Sequence, residues 1–410
     1  MRWLRSLLDK QERLFSKDGK LGRLHPLHEA GDTFFFTPGK VTQNPSHVRD
    51  ALDLKRTMMT VVIALTGCIF MACYNTGYQA HLAISRGALP LDNWRTHLME
   101  TLSLGFDPGS FGASFVHGAF YYVPVLIVTL VVGGAWEAVF AIVRRHEINE
   151  GFLVTWMLFP LILPPTVPLW QVALGITFGV VVGKEVFGGT GYNVLNPALV
   201  ARAFVFFAYP AQLSGDRVWI AAGTSGSVDG VSGATWLARA ALEGQSAIDA
   251  GLTWGQAFLG LIPGSMGETS TLACLAGAAL LVVTGVASWR IMVSVAFGTI
   301  AMASLLNAVG SNTNAFFDVP FWWHFVLGGW AFGTVFMATE PVTAPGTNGG
   351  RMIYGFLIGV LVVLIRVVNP AYPEGMMLAI LLMNVFASVI DHFAIVANVK
   401  RRRARYANIN

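Results

Sequence analysis

Ten apolar stretches follow one another between residues 57 and 399, at 57–78, 118–143, 152–166, 168–183, 198–210, 271–288, 290–309, 320–337, 352–368 and 376–399. No other feature constrains the fold as strongly. An α-helix of about 20 apolar residues matches the hydrocarbon thickness of a bilayer. In lipid only a helix or a closed barrel satisfies its own backbone polar groups. Charged residues make up 12% of the chain, against about 25% in a soluble domain. The chain reads as an integral membrane protein built of helices.

Basic residues crowd the start of the chain before Arg56 and the tail from Lys400 to Arg405. Beside membrane spans such clusters follow the positive-inside rule rather than nucleic-acid binding, which places both ends in the cytoplasm and makes the number of crossings even. That count puts Arg144, Arg145, Lys184, Arg290 and Arg351 on the cytoplasmic side and residues 211–252 on the periplasmic side of an inner membrane. Cys68, Cys73 and Cys274 fall inside apolar runs and suit neither a disulfide framework nor an iron–sulfur site. The polar start shows no cleavable signal peptide. Trp3, Leu4, Leu7, Leu8, Leu14 and Phe15 share one helical face and suit a helix in the interface or docked on the protein. Phe204, Phe206, Phe207, Trp322 and Trp323 read as lipid-facing or interfacial aromatics. His324 and His392 stand alone in their spans and read as structural.

The organisation expected is a cytoplasmic segment at 1–56, a first membrane unit at 57–210, a periplasmic loop at 211–252, a second membrane unit at 253–399 and a basic tail at 400–410. The third stretch carries Pro160, Pro164 and Pro165, and a broken helix is tolerated only where protein or a cavity covers the freed groups. Val131–Trp136 is echoed by Val282–Trp289, and Phe178–Glu185 by Phe332–Glu340. The fold class expected is therefore all-α integral membrane, about ten transmembrane helices in two inverted five-helix repeats, a plan that puts sites at the repeat interface.

One motif stands out in the loop, Asp229-Gly230-Val231-Ser232-Gly233-Ala234-Thr235. Clusters of Gly, Ser and Asp usually mark ordinary loops. Here the Thr opens an amphipathic segment, Trp236-Leu237-Ala238-Arg239. Its hydroxyl can accept a phosphoryl group, small neighbours admit a bulky nucleotide, and a helix starting after it offers free N–H groups to phosphate.

Asp-x-x-Ser-Gly-Ala-Thr resembles the flavinylation motif of bacterial redox pumps. Gly183–Leu199, Gly133-Gly134-Ala135-Trp136-Glu137 and Ala338-Thr339-Glu340-Pro341-Val342 extend the resemblance over essentially the whole length. The chain resembles the family that contains the B subunit of the sodium-translocating NADH:quinone oxidoreductases and the D subunit of Rnf complexes. The long start, including Leu24–Phe36, favours the first branch.

The resemblance implies FMN joined to Thr235 by a phosphodiester bond, with Asp229, Ser232 and Gly233 forming the attachment motif. It implies a non-covalent riboflavin about Asn193 and Asn196, whose amides could bind the polar edge of the ring or simply cap the fifth helix. It implies ubiquinone near Gly133 and Gly134, where glycines let a flat ring approach, although small residues also serve helix packing. Carboxylates at bilayer depth are functional candidates by default. In the family Glu137, Glu340 and Asp391 occupy places linked to Na⁺ movement. The alternatives are a solvated Glu340 at a helix end and Asp391 paired with Arg202. No residue is expected to act as a catalytic acid, base or nucleophile.

The function implied is passage of electrons from FMN through riboflavin to ubiquinone, coupled to Na⁺ translocation. Partners are the A, C, D, E and F subunits of a six-subunit complex, and a flavin transferase for maturation. NADH oxidation falls to another subunit, because this chain has no nucleotide-binding Gly-rich unit. A flavin-free secondary transporter is the rival from another class, and it leaves residues 229–235 without a use.

Overall fold

The computed structural model describes residues 54–145, 148, 151–223, 233–369 and 374–407, with scattered residues before 54. The interfacial helix expected in the first segment falls largely outside the described residues, and so do Asp229 and Ser232. Among the described residues the structure is helical, with a single isolated bridge between Leu89 and Gly223.

Helix α1 (Leu54–Ala64) continues after Leu65 into α2 (Thr66–Ser85). Then come α3 (Trp94–Thr101), α4 (Phe111–Arg144), α5 (Phe152–Leu161), α6 (Leu169–Val181) and α7 (Pro197–Ala208). Short helices follow, among them α8 (Trp236–Glu243) and α9 (Trp254–Leu259). The second part holds α10 (Thr271–Val283), α11 (Trp289–Val309), α12 (Phe321–Val326), α13 (Trp330–Phe332, running into a π-helical turn Gly333–Met337), α14 (Asn348–Val368) and α15 (Met376–Ala407). Among the described residues six helices are long and apolar enough to cross a membrane: Lys55–Ser85, Phe111–Arg144, Leu169–Phe187, Trp289–Val309, Asn348–Val368 and Met376–Arg405. Phe152–Leu161, Pro197–Ala208 and Thr271–Val283 are shorter apolar helices.

Side-chain caps fix several starts. Asn93 accepts from Arg95 and Thr96 N–H, and Ser110 accepts from Ala113 N–H, so α4 begins seven residues before the apolar run at 118. α5 ends at Leu161, before its apolar run does, and Pro164 and Pro165 disfavour helical backbone in the residues that precede them.

Close approach of helices is the main packing device. A Cβ on Gly77 would lie 1.9 Å from the Ser114 carbonyl oxygen, and one on Gly118 would lie 1.8 Å from that of Cys73, so α2 and α4 meet backbone to backbone. Gly298 and Gly359 do the same for α11 and α14, each with a carbonyl oxygen 2.1 Å from its added Cβ. Without a hydrophobic drive between helices in lipid, small residues are what permits such contacts.

Two non-helical segments meet inside the bundle. Residues 162–168 follow α5, and residues 260–270 precede α10. Met266 N–H donates to Leu163 O at 3.1 Å and Gly267 N–H to Leu161 O at 2.7 Å. Asn75 of α2 donates to Ile262 O at 2.9 Å. Leu161, Ile162 and Leu163 are fully buried, so protein covers the irregular backbone as bilayer depth demands.

The two sequence echoes fall differently. Phe178–Glu185 and Phe332–Glu340 each end an apolar helical stretch at an acidic residue, whereas Val131–Trp136 lies inside α4 and Val282–Trp289 spans the turn from α10 to α11. The aromatic expectation needs one correction: Trp322 and Phe207 are exposed, but Trp323 is buried under the α8–α9 segment.

Candidate functional site

Two polar sites lie at opposite ends of the α1–α2 rod. One cavity is lined at its α1 end by Thr57, Met58 and Val61. The segment around Thr235 belongs to the other end, where Ile220 and Ala222 pack on Ala83 and Ala88, and Gly223 N–H donates to Leu89 O at 2.7 Å. At 1.5 Å per residue the rod separates them by roughly 30–40 Å.

Thr235 precedes α8 by one residue, and its hydroxyl accepts a hydrogen bond from Ala238 N–H at 3.2 Å. The helix start expected from the motif is therefore present. Gly233 has a steric reason to be glycine, since a Cβ there would lie 2.1 Å from the Asp216 carbonyl oxygen. Half-buried Thr235 borders an apolar cavity with Phe206, Leu213, Trp219 and Met377, and a polar one with Ser265, Glu268 and Thr269. Glu374 lines both.

Beneath these cavities lies a buried charge network that sequence reasoning missed. Arg202 of α7 pairs with Glu268 at 3.4 Å and with Glu374. Arg202 is therefore not the partner of Asp391, as the sequence had suggested. Arg366 of α14 is fully buried and donates to the carbonyls of His324 and Leu327 at 2.9 Å each, filling the break between α12 and α13. The signal available was an arginine in each of two apolar runs, which bilayer energetics make costly unless paired.

The other cavity gathers residues from distant parts of the chain: Lys184, Asn193, Asn196, Thr339 and Glu340, with apolar walls from Val154, Leu158, Leu281 and Phe336. Asn196 caps α7, its Oδ1 accepting from Ala198 and Leu199 N–H at 3.0 and 3.1 Å. The Thr343 hydroxyl donates to the Glu340 carboxylate at 3.0 Å, and Asn193 and Asn196 line the same cavity. Glu340 sits in the non-helical segment after the π-turn, facing this cavity rather than standing solvated at a helix end.

Glu137 of α4 is 4% exposed and hydrogen-bonds the Lys184 ammonium. Lys184 is 3% exposed, a buried charge rather than a solvated one. The reason is local: α6 stops at Val181, and Gly188, Gly189 and Gly191 take positive φ and fold the loop back onto the bundle. Only such residues adopt that conformation without strain.

The remaining candidates stand apart. Asp391 accepts from Gly346 N–H at 2.6 Å, Thr347 N–H at 3.1 Å and the Thr347 hydroxyl, so it anchors the far end of the segment that carries Glu340. The space beside Gly133 is taken by the Phe152 ring, 2.5 Å from an added Cβ, and by Ile176 at 3.0 Å. Gly134 meets Phe152 at 3.8 Å and is otherwise open. All three cysteines are buried, and Cys68 and Cys274 bring their sulfurs to 3.8 Å. His324 is buried, with its carbonyl serving Arg366.

This is a polytopic helical membrane protein with two interior polar sites at opposite ends of one bundle. The NQR2, RnfD, RnfE family pattern matches residues 41–400, and the chain belongs to that family. It is 56% identical over 404 residues to the B subunit of the Na(+)-translocating NADH-quinone reductase of Chromohalobacter salexigens, covering 98% of this chain and 97% of that one. It is equally 56% identical over 406 residues to the B subunits so named in Ectopseudomonas mendocina and Pseudomonas aeruginosa, covering 98% of this chain and 99% of each.

Proposed function

We propose that the chain is the membrane-embedded B subunit of a Na⁺-translocating NADH:quinone oxidoreductase. The observation that carries this reading is 56% identity over 98% of the chain to proteins of that name, which also favours it over the Rnf D subunit. The chain acts as part of a multi-subunit enzyme. NADH oxidation falls to a partner, and the described residues contain no strand from which a dinucleotide-binding unit could be built.

The residues fit the flavins the family implies. Thr235 offers a hydroxyl at a helix start beside an apolar cavity with Trp219 and Phe206. This suits a phosphodiester-linked FMN, with Asp229, Ser232 and Gly233 serving the flavin transferase. Asn193 and Asn196 supply amides at one edge of a cavity with apolar walls, which suits the rim and faces of a riboflavin ring. Bound flavins supply electron transfer there. Gly134 and Phe152 form a surface against which the ubiquinone ring can lie, with Gly133 behind them. Glu340, Glu137 and Asp391 provide oxygen ligands for Na⁺, a hard cation.

In the bilayer the six long helices, the three short ones and the α12–α13 pair make ten crossings in two units of five, with opposite orientation. Both termini face the cytoplasm of an inner membrane, and the Thr235 loop faces the periplasm. The A, C, D, E and F subunits complete the complex.

The test is genetic and kinetic. Membranes from a host lacking this chain should lose Na⁺-stimulated NADH:ubiquinone reduction and regain it on complementation. Ferredoxin-dependent NAD reduction in its place would select the Rnf reading.

A further inference from the structure

Lys184 places a cation inside a cluster of carboxylates. Its ammonium bonds Glu137 Oε1 and stands 4.0 Å from Glu185 Oε1, and it lines the same cavity as Glu340. Arg144 holds the outer side of Glu185, with Nη1 at 3.1 Å from Oε2 and Nη2 at 2.6 Å from the carbonyl. Among the described residues two cations therefore face these three carboxylates. Glu340 makes no ion pair among the described residues, and its side-chain hydrogen bond comes from the Thr343 hydroxyl. With every one of these described groups charged, they are one positive charge short, and the cavity-facing Glu340 is the carboxylate outside these ion pairs.

A carboxylate as buried as Glu137 cannot be left alone, because stripping the partner from a buried pair is strongly destabilising. An alkyl ammonium and Na⁺ make the same demand: both are compact, strongly hydrated single charges that seek oxygen. The lysine is carried on a flexible four-carbon stem with rotatable donors, and a second carboxylate, Glu185, waits 4.0 Å away.

We propose that Lys184 is a tethered stand-in for the transported cation, holding Glu137 until Na⁺ arrives through the Glu340 cavity and displacing it afterwards. The inference rests on the Na⁺-translocating reading above. Na⁺ entering beside Glu340 supplies the missing charge. Lys184 then yields Glu137 and turns to Glu185, and its return expels the ion. Lys184 is on this account a positioning residue that sets how tightly the ion is held and how readily it leaves.

The experiment is the Na⁺ dependence of quinone reduction in the assembled complex, for wild type, Lys184→Met, Lys184→Arg, Glu137→Gln and the Lys184→Met/Glu137→Gln double variant. With its internal competitor gone, Lys184→Met should lower half-saturating Na⁺ about tenfold, within the usual range of coupling between sites, while kcat also falls because release slows. Lys184→Arg keeps the charge on a planar, less hydrated head and should move half-saturating Na⁺ less than Lys184→Met does. In the Glu137→Gln background, the Lys184→Met step should move half-saturation far less than in wild type. A half-saturation that is unchanged or raised in Lys184→Met overturns the proposal. So does a full effect of that step without Glu137, a comparison that survives if Lys184→Met alone fails to assemble. A wild-type complex indifferent to Na⁺ would instead remove the reading on which the proposal stands.

Discussion

The hydroxyl of Thr235 accepts a hydrogen bond from the backbone N–H of Ala238 at 3.2 Å, so the residue proposed to carry FMN is also the N-cap of α8. Two roles on one oxygen need separating by substitution. Thr235→Ala removes both the attachment point and the cap, at a cost of about 1 kcal/mol. Thr235→Asn keeps a capping oxygen without an acceptor for phosphoryl transfer. With the flavin transferase co-expressed, in-gel fluorescence after denaturation should show a flavin band for wild type and none for either variant. Thermal stability should fall for Thr235→Ala alone. A fluorescent band surviving in Thr235→Asn would place the flavin elsewhere.

The backbone contact between α2 and α4 makes a sharper statement about stability. An added Cβ at Gly77 would overlap the Ser114 carbonyl, whereas one at Gly112, on α4 itself, meets nothing within 4 Å. Gly77→Ala must push the helices apart, and overpacking of this kind costs about 1–3 kcal/mol. Gly112→Ala should be neutral or slightly stabilising. Thermal unfolding of the two variants in detergent checks both signs.

Glu340 gives a pH dependence whose direction is set. A carboxylate binds Na⁺ only when deprotonated, so protons compete with Na⁺ at this cavity-facing group. Half-saturating Na⁺ should fall as pH rises from 6 to 8, and Glu340→Gln should flatten that slope while raising half-saturation throughout. A wild-type slope retained in Glu340→Gln would assign the titration to another group.

These tests separate what the sequence disclosed from what only the fold could. Helices were legible because the bilayer's demand is local: each run of apolar residues must close its own hydrogen bonds. The amphipathic start of α8 was legible from Thr235 and Trp236 for the same reason. The α3 helix was not, since Trp94–Thr101 is half polar and too short to announce itself. Least legible were the pairings. Glu137 was recognised as a buried acid, but its partner Lys184 lies 47 residues away and looked like a loop charge. Arg202 was assigned the wrong acid because Glu268 and Glu374 sit in irregular segments whose burial comes only from tertiary packing.

The Arg202 network carries the last prediction. Arg202 is 5% exposed and Glu268 6% exposed, and they join α7 to the segment before α10. Breaking a buried pair from one side costs about 3–5 kcal/mol, since the remaining charge is left without compensation. Arg202→Met should therefore reduce the amount of folded subunit recovered in the complex more than most single core changes do. Glu268→Gln removes the stranded charge, so the double variant should recover part of that loss. Glu374 also pairs with Arg202 but is more exposed, so water can take up its charge and Glu374→Gln alone should be mild. If the double variant is no better than Arg202→Met, the arginine's packing rather than its charge holds the two parts of the chain together.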